Sequence, residues 1–161
     1  MNNSNETQQP DFVIGRHPAM ASLQSDHSIN KVFIQEGLKS DGIGQIIAKA
    51  KKQGLVIQRV TKSKLDTLSN GQNHQGVVLA VASFEYAELD DIFKLAQARE
   101  EEPFILILDG IEDPHNLGSI LRTADAAGVH GVIIPKRRAV GLTSTVAKTS
   151  AGAIERVPVV Q

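Results

Sequence analysis

The second half of the chain contains a strand, loop, helix and strand in succession, and this pattern restricts the fold more than any other feature of the sequence. Phe104 to Leu108 is a continuous apolar run, which predicts a strand buried on both faces of a parallel sheet. A helical stripe follows and closes at Gly128, and Gly131 to Pro135 predicts the next strand. The stripe consists of Leu117, Ile120, Leu121 and Ala124. The result is a βαβ unit, and the loop after its first strand lies where open α/β sheets bind ligands.

The first half alternates short β-type runs with helical patterns, which predicts a compact α/β unit. The runs are Phe12 to Ile14, Lys31 to Gln35, Leu55 to Val60 and Gly76 to Val81. The clearest helix carries apolar residues at the i, i+3, i+4, i+7 spacing, and a second such stripe precedes an acidic run. The two stripes are Ile43, Ile46, Ile47 and Ala50, and Leu89, Ile92, Phe93 and Ala96. We predict a tail at 1–11, a domain at 12–86, a linker helix at 87–103 and the start of a second domain at 104–161.

The composition excludes several classes of protein. The chain has no cysteine, which rules out a disulfide framework, a thiolate nucleophile and a cysteine-based zinc site, and agrees with a reducing cytosol. Its apolar runs are far shorter than the roughly 18 residues that a membrane span needs. Met1 to Pro10 is polar without an apolar core, so it is no targeting peptide and we expect a disordered tail. We expect a cytoplasmic protein with neither a membrane nor a metal as partner.

The net charge of −1 conceals an uneven distribution of charged residues. Residues 12–86 carry a net charge of +4, whereas residues 87–103 carry −4. The positive excess of the first domain fits two interpretations equally well, a solvated lysine-rich helix face or a surface that binds a polyanion.

The predicted helix after the first strand of the βαβ unit carries two polar residues of interest. At 100° per residue, Arg122 lies nearly opposite the apolar stripe, so the core does not need its guanidinium. Asn116 stands at the helix entrance, where it either caps a backbone N–H or contacts a ligand. The two residues are separated by about 9 Å along the axis, so a ligand of nucleotide size can reach both. Gly118 in the first turn lowers helix propensity, which makes sense if a phosphate or another chain comes close.

The stretch from Leu108 to Gly128, LDGIEDPHNLGSILRTADAAG, resembles the first signature motif of the SpoU (TrmH) RNA 2′-O-ribose methyltransferases. The resemblance is closest to the RlmB type, which methylates a guanosine of large-subunit ribosomal RNA. It extends to the first domain, which is similar to the small RNA-binding domain of the ribosomal members. The further matching segments are Ile14 to Pro18, Asn73 to Val77, Val132 to Pro135 and Lys148 to Val159.

This resemblance implies methyl transfer from S-adenosylmethionine to a ribose 2′-hydroxyl, in a homodimer whose parallel α/β domain ends in a trefoil knot. Asn116 and Arg122 are the implied catalytic pair, with Asn116 positioning the nucleotide and Arg122 acting on the attacking hydroxyl. Because arginine stays protonated, we favour stabilisation of the forming alkoxide over proton abstraction. His115 is the alternative base.

The resemblance also implies residues that bind RNA, although each has an ordinary structural explanation as well. In the first domain, the candidates lie at a helix start and in a loop before a strand, where a hairpin connection explains the loop equally well. In the second domain, they form a basic cluster after a strand, with one lysine further on. The candidates are Arg16, His17, His74, Gln75, Gly76, Lys136, Arg137, Arg138 and Lys148.

Residues 104–161 supply 58 residues for a domain that we expect to need about 150. The later family motifs, which supply the glycine-rich loop and the knot, have no counterpart in them. We therefore expect an inactive fragment with no residues that bind S-adenosylmethionine, and an open sheet edge that invites pairing with a second copy. The competing hypothesis is a non-catalytic RNA-binding or ribosome-assembly protein.

Overall fold

A computed structural model describes residues 11–39 and 41–161 of the chain. Residues 1–10 of the predicted tail lie outside the described residues. Asp11, the last residue of that tail, belongs to the folded structure, so the tail prediction is wrong at this position. Its carboxylate accepts hydrogen bonds from Ser83 Oγ at 3.1 Å and from Ser144 Oγ at 2.7 Å. The first described residue therefore contacts both halves of the chain.

The first domain is a mixed four-stranded sheet with helices on both faces, and the predicted α/β class is confirmed. The strand order is β1-β4-β2-β3, with β2 and β3 parallel and β4 antiparallel to both β1 and β2. The strands are β1 (Phe12–Ile14), β2 (Ile29–Gln35), β3 (Ile57–Val60) and β4 (Val77–Val81). The helices are α1 (Arg16–Gln24), α2 (Asp41–Lys52) and α3 (Lys62–Leu68).

Aliphatic side chains form the core of this domain. The predicted stripe on α2 packs with α1 against one face of the sheet, where Ile43, Ile46 and Ala50 are almost completely buried. On the other face, Leu65 of α3 is buried against Val78. The period of 3.6 residues in the sequence therefore identified the buried side of α2 correctly.

The linker helix α4 (Leu89–Ala98) begins with a capping box formed by Glu88 and Asp91. Ile92 and Ala96 of its predicted stripe are buried. Ile92 also lies directly over Gly131, where any side chain would overlap it. The other two stripe residues, Leu89 and Phe93, are 47% and 44% exposed, so only half of the stripe faces the core of the described chain.

The second domain contains the predicted βαβ unit within a three-stranded parallel sheet of order β5-β6-β7. Its strands are β5 (Ile105–Ile107), β6 (Gly131–Ile133) and β7 (Val159–Val160), and its helices are α5 (Pro114–Ala126) and α6 (Ser144–Thr149), with a 3₁₀ turn at Ala153–Glu155. The prediction that Phe104 to Leu108 is buried on both faces is wrong. Among the described strands β5 pairs with β6 alone, so Ile107 is 73% exposed and Phe104 is 50% exposed.

A small polar network joins the two domains. Tyr86 lies in the segment between them, and its hydroxyl donates to Asn30 Oδ1 at 2.5 Å and accepts from the backbone N–H of Leu142 at 3.0 Å. Gly141 permits this close approach, because a Cβ there would lie 2.5 Å from Asn30 and 2.8 Å from Tyr86 Oη. Burial raises the pKa of Tyr86 to about 12, partly offset by the Leu142 hydrogen bond. The described residues include no helix long and apolar enough to cross a membrane.

Candidate functional site

The N-terminus of α5 is capped by Asp113, which leaves the neighbouring amide side chain free. The Asp113 carboxylate accepts from the backbone N–H groups of His115 at 2.7 Å and Asn116 at 3.1 Å, and Pro114 occupies the first turn. Of the two roles considered for Asn116, capping is therefore performed by another residue. The Asn116 side chain is exposed and makes no hydrogen bond with the described residues.

Arg122 lies on the exposed side of α5, six residues after Asn116. Leu117, Leu121 and Ala124 are buried on the opposite side of the same helix. The Arg122 guanidinium forms no ion pair or hydrogen bond with the residues that the structure describes. Helix geometry separates Arg122 from Asn116 by about 9 Å along the axis and about 120° around it, so a ligand that contacts both must extend across the exposed face.

Gly118 allows the helix α6 to pack closely against α5. A Cβ at Gly118 would overlap Thr149 Oγ1 and lie 2.7 Å from Thr149 Cβ. The Thr149 hydroxyl donates to the backbone oxygen of Thr145 on its own helix at 2.8 Å. The sequence suggested that a phosphate or another chain approaches this glycine, whereas the structure shows that the neighbour is a helix of the same chain.

The predicted basic cluster Lys136, Arg137 and Arg138 follows β6 and is exposed at the carboxyl edge of the parallel sheet. Arg137 and Arg138 line a cleft of about 480 Å³ whose other wall comes from the first domain. The cleft is lined by Lys31, Val56, Ile57, Gln58, Glu112, Arg137, Arg138 and Ala139. Lys31 and Gln58 were missed by sequence reasoning, because no local pattern indicates contact between β2, β3 and a loop that is distant from both in sequence.

A second cleft, of about 380 Å³, gathers four of the candidates predicted in the first domain. These are Arg16, His74, Gln75 and Gly76, which lie with Lys62, Gln72 and Asn73 among its lining residues. Arg16 Nε donates to the backbone oxygen of Gln75 at 3.0 Å, and Gln75 Oε1 accepts the backbone N–H of Arg16 at 3.1 Å. The fold thus joins two segments 59 residues apart in sequence.

His74 shapes the loop of this second cleft. Its ring is buried, and Nδ1 accepts the backbone N–H of Gly76 at 2.9 Å. The proton is therefore on Nε2, which donates to Asp66 Oδ1 at 3.0 Å. Gly76 has a positive φ of 87°, and a side chain there would overlap Leu38. With both ring nitrogens engaged, His74 holds the loop in shape, while the exposed Gln75 is the neighbour that a ligand can reach.

Three of the candidates line neither cleft. Lys136 directly precedes Arg137, His17 is exposed on α1, and Lys148 is exposed in the last turn of α6. In the described part of the chain, no group of three or more histidine, cysteine or acidic residues is arranged to hold a metal ion.

Two protein-family descriptions match this chain. Residues 12–87 match the family described as RNA 2′-O ribose methyltransferase substrate binding, and residues 103–161 match the SpoU rRNA methylase family. The two matched ranges lie on either side of α4, and each range contains one of the two sheets of the structure.

Curated relatives and solved structures carry related names. The chain is 57% identical over 153 residues to a Bacillus subtilis protein, YacO, which is named a TrmH family tRNA/rRNA methyltransferase. The aligned region covers 95% of this chain and 61% of the Bacillus subtilis protein. A Staphylococcus aureus protein with the same family name is 55% identical over 92% of this chain and 60% of its own length. The crystal structure of the SpoU methyltransferase AviRb from Streptomyces viridochromogenes aligns with a TM-score of 0.41 and a sequence identity of 22%. The alignment covers 99% of this chain and 56% of AviRb. The chain therefore spans about three fifths of the length of its curated relatives.

Proposed function

The chain belongs to the SpoU (TrmH) family, and from this premise we propose that it recognises RNA and acts on a ribose 2′-hydroxyl during methyl transfer. The exposed, unpaired guanidinium of Arg122 carries this proposal, because it lies on the helix that follows the first strand of the parallel sheet. The start of α5 lies at the carboxyl edge of the sheet, where open α/β folds bind ligands, and Arg122 lies about 12 Å further along the helix axis.

The chemistry of the reaction explains why an arginine is suitable here. A 2′-hydroxyl is a weak nucleophile, so a fixed positive charge that stabilises the forming alkoxide lowers the barrier. Arg122 supplies that charge without giving up a proton, because a guanidinium stays protonated in proteins. The Asn116 amide, free of the capping role, donates and accepts hydrogen bonds that orient the nucleotide. His115, exposed in the first turn of the same helix, is the alternative acceptor for the proton.

The methyl donor implied by the family is S-adenosylmethionine, which supplies an electrophilic methyl group when it is bound. The described residues do not fit this group, since Asn116 and Arg122 line neither of the two clefts and both are exposed. We therefore assign this chain the RNA side of the reaction.

The first domain, residues 12–86, is the proposed substrate-binding domain, with the Arg16 and Gln75 cleft as one contact surface. Lys136, Arg137 and Arg138 offer a second contact surface on the second domain, at the same sheet edge as the start of α5. The proposed substrate is a guanosine of large-subunit ribosomal RNA, and the proposed assembly is a homodimer. Lysine and arginine contacts to phosphates position the strand, which leaves the choice of nucleotide to groups such as Gln75.

The proposal is tested by methyl transfer from tritiated S-adenosylmethionine to a large-subunit RNA transcript, with the protein as its gene encodes it. We expect Arg122→Ala to lower the rate about 10²- to 10³-fold, the effect of removing one group that stabilises an oxyanion. RNA affinity should change little. Arg99→Ala, an equally exposed arginine at the end of α4, is the matched control and should retain the wild-type rate.

The outcomes separate the candidate functions. Wild-type methylation of the transcript with full activity in Arg122→Ala would show that the assignment of Arg122 is wrong. RNA binding by the wild type without methyl transfer to ribosomal or transfer RNA would instead favour the non-catalytic RNA-binding protein. Mapping the methylated nucleotide by primer extension at low nucleotide concentration tests the guanosine proposal in the same reaction.

A further inference from the structure

The cleft between the two domains has cationic residues on both walls. Lys31 on β2 comes from the first domain, and Arg137 and Arg138 after β6 come from the second. We propose that this interdomain cleft binds a single stretch of RNA backbone, so that both domains hold the same strand. The inference rests on the proposed RNA-binding function and adds to it a binding site that includes Lys31 and Gln58.

The cations of this cleft are available to a ligand. Within the described residues, none of the three forms an ion pair, although the carboxylate of Glu112 lines the same cleft. The Lys31 ammonium lies 5.9 Å from the ring centre of Phe33, which holds it in place without neutralising its charge. Three cations facing one carboxylate leave a positive excess, which favours phosphate groups.

The polar network between the domains holds the two walls in place. Asn30, the neighbour of Lys31 on β2, accepts the hydrogen bond from Tyr86, and Tyr86 in turn accepts from Leu142. Leu142 follows the basic residues within the same loop, and Gly141 lies against Asn30. The network therefore connects the two segments that carry the cations. A cleft formed before RNA arrives binds its ligand at a lower entropic cost than two independent domains.

The dimensions of the cleft select a kind of RNA. A volume of about 480 Å³ lies within the range of about 300–1,000 Å³ for small-ligand sites. A nucleotide with its flanking phosphates fits inside a cleft of this size, whereas a duplex can only lie across its mouth. Gln58 adds an amide that can hydrogen-bond to a base or a sugar. We therefore assign the cleft to a single-stranded or loop segment, the form in which bases are accessible to proteins.

The test measures binding of a fluorescein-labelled RNA stem-loop with an unpaired loop by anisotropy, over a series of salt concentrations. We expect Lys31→Ala and Arg137→Ala each to weaken binding about fivefold and to reduce the slope of log affinity against log salt by about 1. Lys51→Ala is the matched control, because Lys51 is exposed on α2 and lines neither cleft. In the double variant, the two losses should be coupled and not simply additive.

The failure of this inference differs from the failure of the proposed function. If the wild type binds the stem-loop with a strong salt dependence but either Lys31→Ala or Arg137→Ala behaves like Lys51→Ala, the interdomain site is wrong and RNA binding stands. If the wild type shows no salt-dependent binding to any RNA, the proposed function itself fails. A fully base-paired RNA hairpin of equal charge should bind more weakly than the stem-loop, and equal affinity would overturn the assignment to unpaired RNA.

Discussion

Tyr86 and Asn30 are joined by a hydrogen bond of 2.5 Å between the tyrosine hydroxyl and the amide oxygen, on the first-domain side of the boundary between the two domains. The same hydroxyl accepts the backbone N–H of Leu142 at 3.0 Å, so one side chain satisfies a polar group in each domain. Asp11 makes a parallel connection through Ser144. The relative position of the domains therefore depends on directional polar contacts.

Removing the Tyr86 hydroxyl should destabilise the protein without changing the packing of the ring. In Tyr86→Phe, Asn30 Oδ1 and the Leu142 N–H lose their common partner, which costs about 1–3 kcal/mol when such groups stay unsatisfied. Urea unfolding measures the change. Thr123→Val, which removes an exposed hydroxyl from α5, is the control and should shift the free energy of unfolding by less than about 0.5 kcal/mol. Equal effects of the two variants would contradict the role of the network.

The titration of Tyr86 provides a direct spectroscopic test, because it is the only tyrosine in the chain. Burial raises its pKa to about 12 from the ordinary value of 10.0, so the neutral phenol is favoured in the folded state. The unfolded chain releases this proton first, so the stability present below pH 10 is lost as the pH rises toward 12. The ultraviolet absorbance of tyrosinate should have its midpoint near 12 in the folded protein, and a midpoint near 10 before unfolding begins would refute the burial.

Two glycines in helices should respond in opposite ways to alanine. Gly118→Ala places a methyl group onto Thr149, so helix α6 must move, and we expect a loss of about 1–3 kcal/mol. Gly44 on α2 has no atom of another element within 4 Å of the point that an added methyl group would occupy, so Gly44→Ala should gain up to about 1 kcal/mol from helix propensity. Thermal unfolding of the two variants measures both signs. Stabilisation by Gly118→Ala would show that α5 and α6 do not pack as described.

Two of the histidines of the first domain should also behave differently. His74→Phe removes the acceptor of the Gly76 N–H and the donor to Asp66, so we expect a loss of about 1–3 kcal/mol and faster hydrogen exchange at the Gly76 amide. His17→Phe, at an exposed position on α1, should leave both quantities unchanged. Unaltered exchange at Gly76 in His74→Phe would mean that the histidine does not hold the loop.

Helices were predicted well from the sequence because their signal is local. The stripe from Leu117 to Ala124 and the stripe on α2 identified the buried sides of both helices, and the exposed position of Arg122 followed from its place opposite the first stripe. Choosing between neighbouring polar residues was harder. Asp113 and Asn116 are both good caps, and only the backbone path shows that Asp113 performs this role.

The burial of the strands was less predictable, because it depends on neighbours that are distant in sequence. The apolar run from Phe104 to Leu108 correctly predicted a strand. The same apolar sequence is compatible with a strand at the centre of a sheet and with one at its edge. In the described chain β5 has one neighbour, which leaves Ile107 exposed. The same reasoning explains the half-exposed stripe of α4.

Periodicity and motif spacing determined the type and order of the elements, the family resemblance and the outward direction of Arg122, since each of these properties belongs to a short segment. The tertiary structure alone decided which distant residues meet. It placed Lys31 opposite Arg137, His74 against Asp66 and Tyr86 on Asn30, 56 residues away along the chain. Such contacts depend on the fold of the whole chain, because the sequence around each residue does not indicate which distant residue it will contact.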